Sequence, residues 1–454
     1  MLIKNGIIAT SERVFNGDIL IKDGKIAQIG QNLPGDGEIA DASGQYVLPG
    51  GVDVHTHFDL DVGIARATDD FYTGTVAAAC GGTTSVVDHP GFGPAGCALR
   101  RQIDYYHALA DGAAVIDYGF HGVVQRVDEG VLSELETLIG EGITSFKIYM
   151  TYDYKLDDAS ILRFLRRAGE YGLMTCVHPE NDGVVNYLRS YYAGGGFTSP
   201  VYHAKSRPPE CEAEAVSRFL LLARLAGDAP AYIVHLTNGL ALDYIRRARA
   251  LGQRRVYAET CPQYLFFDDA AYAREDGLKY VMSPPLRKKE DNAALWAGLS
   301  SEEIQTVATD HCPFNYNKEK QLGAADFTKC PNGAPGVETR LLAMFSEGYM
   351  KKRMTLNQVV RACCTNPARL FGLADKGDIA PGLDADIVMI DPAKERVISR
   401  ANLHENVDYT LYEGMRLQGA ITRVFSRGEL IVKDNAFLGA KGRGRFIRRG
   451  LARG

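Results

Sequence analysis

The sequence has no two cysteines at CxxC spacing. Its nine cysteines, at 80, 97, 176, 211, 261, 312, 330, 363 and 364, are odd in number. That pattern argues against a disulfide scaffold and against a zinc knuckle. The cysteines read instead as small buried hydrophobes of a reducing compartment, so a cytoplasmic location is expected. No apolar run approaches the ~20 residues that a bilayer span needs. The opening "MLIKNGIIATSERVFNGD" is broken by charges and turn residues, unlike a signal peptide. Positive charge is also short: 51 Lys and Arg against 56 Asp and Glu, a net charge of -5. A nucleic-acid partner is not expected on that balance, nor a membrane one.

What remains is an ordinary globular composition, 46% hydrophobic and 24% charged over 454 residues. That length fits one large domain and a smaller one. The first 50 or so residues read as short strands between turns, and so does the stretch from about 376 to 430. Isolated hairpins are barely stable in water, so the two ends are expected to meet in one small β-domain formed by 1–50 and 376–430. In the middle, 51–375, short apolar runs alternate with amphipathic stretches. The runs are "GVDVHTH", "TTSVVDH", "AVIDYGFHGVV", "TSFKIYM", "MTCVHPE", "AYIVHLT", "RVYAETCPQY" and "TVATDHC". Between them lie helix candidates at Leu99–Asp111, Asp157–Tyr171, Ala213–Ala226 and Gly239–Leu251. Eight strands with crossovers predict a (β/α)₈ barrel of the TIM type. An open doubly wound sheet is the alternative, weakened because no GxGxxG follows the first of these strands. The basic, glycine-rich end "GAKGRGRFIRRGLARG", within 431–454, reads either as a loose solvated tail or as an arm docking on a neighbouring subunit.

Barrel catalysis draws on the carboxyl ends of several strands. His55 and His57 close the first run, and a strand's period of two turns both inward. Lys147 lies in the fourth run, His178 ends the fifth, His235 the sixth and Asp310 the eighth. One core histidine is commonplace. Four histidines and an aspartate at one end of different strands are hard to explain as packing, and such a set suits Zn²⁺, with Mn²⁺, Co²⁺ or Fe²⁺ as alternatives. Phe146 and Ile148 should face the helices, which points Lys147 into the barrel. A buried ammonium beside divalent metal is strongly disfavoured, so its pKa should fall. The neutral amine can then take up CO₂, and the carbamate so formed is a carboxylate able to bridge two cations. His89, His121 and His311 read as supporting or core residues, and Glu180 and Asp59 as groups that orient ligands.

The stretches "PGGVDVHTHF", "AACGGTT", "DHPGFGP", "SRPPECEAEA", "YIVHLTNG", "ETCPQYL", "SPPLR", "VATDHC", "CPNGAPGVE" and "GRGRF" resemble the amidohydrolase superfamily. Within it the chain is similar to the hydantoinase/dihydropyrimidinase family, nearest its bacterial phenylhydantoinase branch, almost from end to end. The small domain would then be the composite β-sandwich of that family. The resemblance implies two zinc ions, or manganese or cobalt in their place. His55, His57, Asp310 and carbamylated Lys147 (N6-carboxylysine) would hold one, and His178, His235 and the same carbamate the other. It implies a metal-bridging hydroxide as nucleophile, with Asp310 as general base and then general acid. Tyr152 would donate to the developing oxyanion. The loops carrying Ser283 and Asn332 would bind the substrate mainly through backbone groups. Loops 58–66 and 149–154 would set the preference for the ring substituent.

The implied reaction opens a cyclic amide: a D-5-monosubstituted hydantoin to an N-carbamoyl-D-amino acid, or a dihydropyrimidine to an N-carbamoyl-β-amino acid. The family also implies a homotetramer. Allantoinase and dihydroorotase share the metal cage. Dihydroorotases typically carry Arg two residues after the second His of the motif, where this chain has Asp59, a charge expected to repel an anionic substrate. A non-catalytic scaffold would have lost metal ligands, and here all six positions hold competent residues.

Overall fold

The computed structural model describes residues 1–35 and 37–453. Strands β1 (Leu2–Ala9), β2 (Val14–Lys22), β3 (Lys25–Gly30), β4 (Ile39–Asp41) and β5 (Tyr46–Pro49) open the chain. The middle supplies β6 (Gly51–Thr56), β7 (Thr83–Asp88), β8 (Asp117–Phe120), β9 (Gly122–Val123), β10 (Ser145–Tyr149), β11 (Met174–His178), β12 (Ala231–Ile233), β13 (Val256–Thr260) and β14 (Thr306–Val307). The chain ends with β15 (Ile387–Val397), β16 (Arg416–Ser426), β17 (Glu429–Lys433) and β18 (Ala436–Phe437).

Strands β6 to β14 are the barrel. They pair in parallel as β6-β7-β8 and as β9 to β14 in chain order. His121 interrupts one long strand between β8 and β9, which leaves eight strands in all. A parallel bridge from Thr56 to His311 closes the ring. Helices cover the outer face and side chains fill the interior, so β6, β7, β10 and β11 are buried almost throughout and read as continuous apolar runs. Phe146 packs its ring 5.9 Å from Phe164 of the helix Asp158–Glu170, which leaves Lys147 facing the interior. Three predicted helices hold to within a residue or so, at Leu99–Ala110, Asp158–Glu170 and Gly239–Ala250. The remaining one starts earlier, at Pro209, because proline is well suited to the first helical turn.

The two chain ends share one nine-stranded sheet, ordered β18-β17-β16-β15-β5-β1-β2-β3 with β4 on β1. Bulges in β1, β2, β15 and β16 bend it, and a core of Ile3, Ile8, Ile19, Val47, Met389 and Phe425 fills the fold. The architecture is thus a (β/α)₈ barrel with a composite β-sandwich. Lys376, buried, joins the two by pairing with Asp117 of the barrel and with Asp384 and Asp386 of "PGLDADIV" at 2.7–2.9 Å.

Two expectations need correction. The sandwich continues through β18 to Phe437, past the boundary drawn at 430. The basic tail is not loose: it lies along the amino-terminal end of its own barrel. Ile447 N donates to Tyr118 O at 2.7 Å, and Tyr118 N to Arg445 O at 3.0 Å. Arg449 is 3% exposed and donates to Ser145 Oγ and to the carbonyls of Phe371 and Phe120. The glycines let this backbone approach closely. A Cβ on Gly372 would sit 1.9 Å from Gly450 O, at a φ of +71°. Composition alone read as disorder because arginine looks like a solvated charge until buried carbonyls are there to receive it.

Arg449→Met should leave the Phe120 and Phe371 carbonyls without this partner, a loss on the order of 1–3 kcal/mol for each buried group. A lowered midpoint in thermal or urea unfolding is the expected result. An unchanged midpoint would show that the tail merely lies on the surface.

Candidate metal centre

His55 stands at the end of β6 and His57 two residues on, at the carboxyl mouth of the barrel. The Nε2 atoms of both rings lie 3.1 and 3.2 Å from the same Oδ1 of Asp310. Across the mouth, His178 Nδ1 and His235 Nε2 face each other at 2.9 Å. Ligand atoms about 2.0–2.1 Å from a tetrahedral ion lie ~3.3 Å apart, so both clusters have the spacing that one cation would require. His55 Nε2, one of the nitrogens facing Asp310, is buried without a hydrogen-bond partner, which fits a site built around ions rather than around a closed protein network. Lys147, 1% exposed, acts between the clusters. Its charge depresses the pKa of His55, His57, His178 and His235, while Asp310 and Glu259 act on its own.

Burial dominates the ionisation of the site. It holds His57, His178 and His235 below the ordinary imidazole range, and thus neutral as metal ligands must be. Burial also lowers Lys147 from the usual lysine value, with Asp310 and Glu259 opposing. Asp310 goes the other way: burial would raise it, but His55 and His57 hold it well below the usual carboxylate range. Burial would lower His55, but Glu259 and Asp310 together outweigh it and push the ring up to about 9.

A supporting layer fixes which nitrogen faces the cavity. Glu259 of β13, fully buried, takes His55 Nδ1 and also accepts from His235 N and Tyr232 Oη. His55 therefore turns Nε2 inward. His178 Nε2 donates to Glu180 at 2.7 Å, which frees Nδ1, and Arg207 holds Glu180 at 2.5 Å. Arg207 and His178 together depress Glu180 to about 2 despite its burial. Asp53, deep in β6, accepts from Thr309 Oγ1 at 2.7 Å and from His55 N at 3.2 Å, so one carboxylate positions ligands on the first and last barrel strands. Tyr152, His235 and Asp310 have φ of +74°, +38° and +52°. Such left-handed backbone is unfavourable for residues other than glycine and collects at functional sites.

All six expected metal-site residues meet at this mouth. Tyr152 joins them, its ring 5.1 Å from that of His178 and its phenol held protonated by burial, with a pKa of about 12. Ser283 lies beside that phenol, and Asn332 lies on the adjoining loop, tied to it by Gly333 N donating to Val281 O at 3.1 Å. His121 and His311 are buried and bond groups other than the expected ligands. His121 bonds Val54 O and Ser145 Oγ; His311 bonds Asp69. His89 stacks on His121 at 4.0 Å. Glu180 bonds His178, one of the expected ligands. Asp59 does not: its oxygens accept from Arg66 and from Phe71 N, at the start of a helix whose positive end attracts a carboxylate. The expected repulsion of an anionic substrate by Asp59 therefore fails, and what stands is that no cation occupies that position. Sequence reasoning missed Glu259, Arg207 and Asp53. For Glu259 and Asp53 the available signal was a charge inside an apolar strand, as in "VYAET" and "GVDVH"; Arg207 lies between two helices and carries no such signal.

The sequence profile of the Amidohydrolase family matches residues 46–431. The chain is 52% identical to the D-phenylhydantoinase of Escherichia coli O1:K1 / APEC, over 99% of this chain and 98% of that protein. Among solved structures, a dihydropyrimidinase from Brevibacillus agri NCHU1002 superposes with a TM-score of 0.98 at 45% identity, covering 100% of this chain and 99% of that one. A D-hydantoinase superposes at 0.96 with 45% identity, covering 99% and 98%.

Glu259→Gln should weaken metal retention about 10–100-fold, as loss of a ligand-orienting carboxylate does. Competition against a chelator measures this without any substrate. Unchanged affinity would remove Glu259 from the centre.

Proposed function

The chain belongs to the amidohydrolase family, and on that premise we propose that it hydrolyses cyclic amides, opening D-5-monosubstituted hydantoins and dihydropyrimidines. The observation that carries this reading is the convergence of four imidazoles, one carboxylate and a buried lysine at one barrel mouth. The names of the relatives, D-phenylhydantoinase, D-hydantoinase and dihydropyrimidinase, support the substrate class.

His55, His57 and Asp310 would hold one divalent ion and His178 and His235 the other, with Lys147 as a carbamate shared by both. Zinc suits this donor set, and manganese or cobalt fits it as well. Bound ions supply an acidified water and polarise the substrate carbonyl. Asp310, held as a carboxylate, accepts the proton of the attacking water and delivers it to the leaving ring nitrogen. The protonated Tyr152 phenol donates to the carbonyl oxygen as negative charge builds there. The loops bearing Ser283 and Asn332 present backbone groups to the flat ring edge. Phe92, 5.0 Å from Tyr149 and 4.7 Å from Tyr154, lines the same mouth with apolar surface suited to a ring substituent.

A homotetramer fits exposed apolar side chains such as Tyr187, Tyr191, Leu221 and Leu225 on the outer helices, which other copies would cover. No helix among the described residues is long and apolar enough to cross a membrane. The cysteine usage supports a cytoplasmic location.

Assays on phenylhydantoin, dihydrouracil, allantoin and dihydroorotate should give ring opening of the first two and none of the last. Dihydroorotate turnover without hydantoin turnover would overturn the assignment. Lys147→Ala should lose metal and activity together, with short carboxylic acids restoring part of both; a variant keeping two ions and full turnover would sink the bridging role. Tyr152→Phe should cost about 10²–10³ in kcat, as removal of an oxyanion donor does.

A further inference from the structure

Lys320 is 0% exposed, and no carboxylate pairs with it among the described residues. Its Nζ donates to Val281 O at 2.6 Å, Gly333 O at 2.7 Å and Pro331 O at 2.8 Å. An ammonium has three donors, and all three end on backbone carbonyls. The ionisable groups facing it are the thiols of Cys330 and Cys312, and the ring of Phe314 lies 5.9 Å from Nζ.

Those carbonyls belong to the two loops that carry Ser283 and Asn332. The loops also touch directly, through Gly333 N and Val281 O. The second loop presses on the strand end that bears Asp310: Cys312 N donates to Ala334 O at 3.1 Å, and a Cβ on Gly333 would lie 2.3 Å from Cys312 O. Three carbonyl dipoles that converge on one point repel each other unless a cation sits there. A neutral side chain of equal length would leave them both unsatisfied and mutually repelling.

Building on the cyclic-amide reading, we infer that Lys320 is a positioning residue for substrate. Its ammonium clamps the 281–283 and 331–333 loops into one template beside the metal centre. It touches neither metal nor ring, so it acts on binding through the backbone groups of both loops.

The test compares Lys320→Met with the parent protein in three readouts. KM for phenylhydantoin should rise about tenfold with kcat within about threefold, the pattern of lost uniform binding. Bound metal per chain should stay unchanged. Amide hydrogen exchange should accelerate in both loops together and stay unchanged at residues 55–57. Lys320→Gln, which keeps two donors, should fall between the two proteins, and it replaces the methionine variant if that one does not fold. A folded variant with parental KM and parental exchange overturns the inference, and so does loss of metal in step with kcat. If the parent protein opens no cyclic amide, the functional reading fails. Exchange still decides the clamp: joint loosening supports it, and unchanged protection refutes it.

Discussion

A primary amine sunk among buried imidazoles cannot comfortably keep its proton. Lys147 has no access to water, and its charge bears on four rings that must stay uncharged to bind metal. Isolated charge in such a place is among the costliest things a fold can hold. Losing the proton and gaining a carboxylate from CO₂ would turn this repulsion into the attraction that holds two cations. The surroundings are consistent with that exchange. Each histidine with a carboxylate behind it turns its other nitrogen inward, His55 toward Asp310 and His178 toward His235.

That inward geometry comes from a layer one step further out. Glu259 fixes His55, and Arg207 fixes Glu180, which fixes His178. Asp53 links the first strand to the segment bearing Asp310. These groups are charged and fully buried, yet each is matched, so the cost of removing them from water is offset locally. The left-handed backbone at Tyr152, His235 and Asp310 is tolerated because this packed layer leaves those residues no other path. The barrel supplies the rigid ends, and the layer behind them sets aim.

The remaining charges bind the molecule's parts together. Lys376 joins barrel to sandwich, Arg449 seals the amino-terminal end of the barrel, and Lys320 gathers loops at its mouth. In Arg449 and Lys320 a cation is satisfied by backbone carbonyls rather than by an acid. From sequence such residues look like surface charge, because nothing local marks a lysine in "NKEKQLG" or an arginine in "FIRRG" as interior.

The barrel, the joining of its two β-rich ends and the six residues that meet at its mouth were legible in the sequence. Strand alternation and the position of a residue at a strand's end are local properties, so His55, His57, Lys147, His178, His235 and Asp310 could be read from spacing. Which carboxylate stands behind which histidine emerges with the packed fold. It alone turned Asp59 away from the cavity toward a helix end, and it folded the basic tail back under its own barrel. Some of those outcomes rest on contacts between residues hundreds of positions apart, such as Arg449 with Ser145 and Glu259 with His55, and no local pattern carries the distance between them.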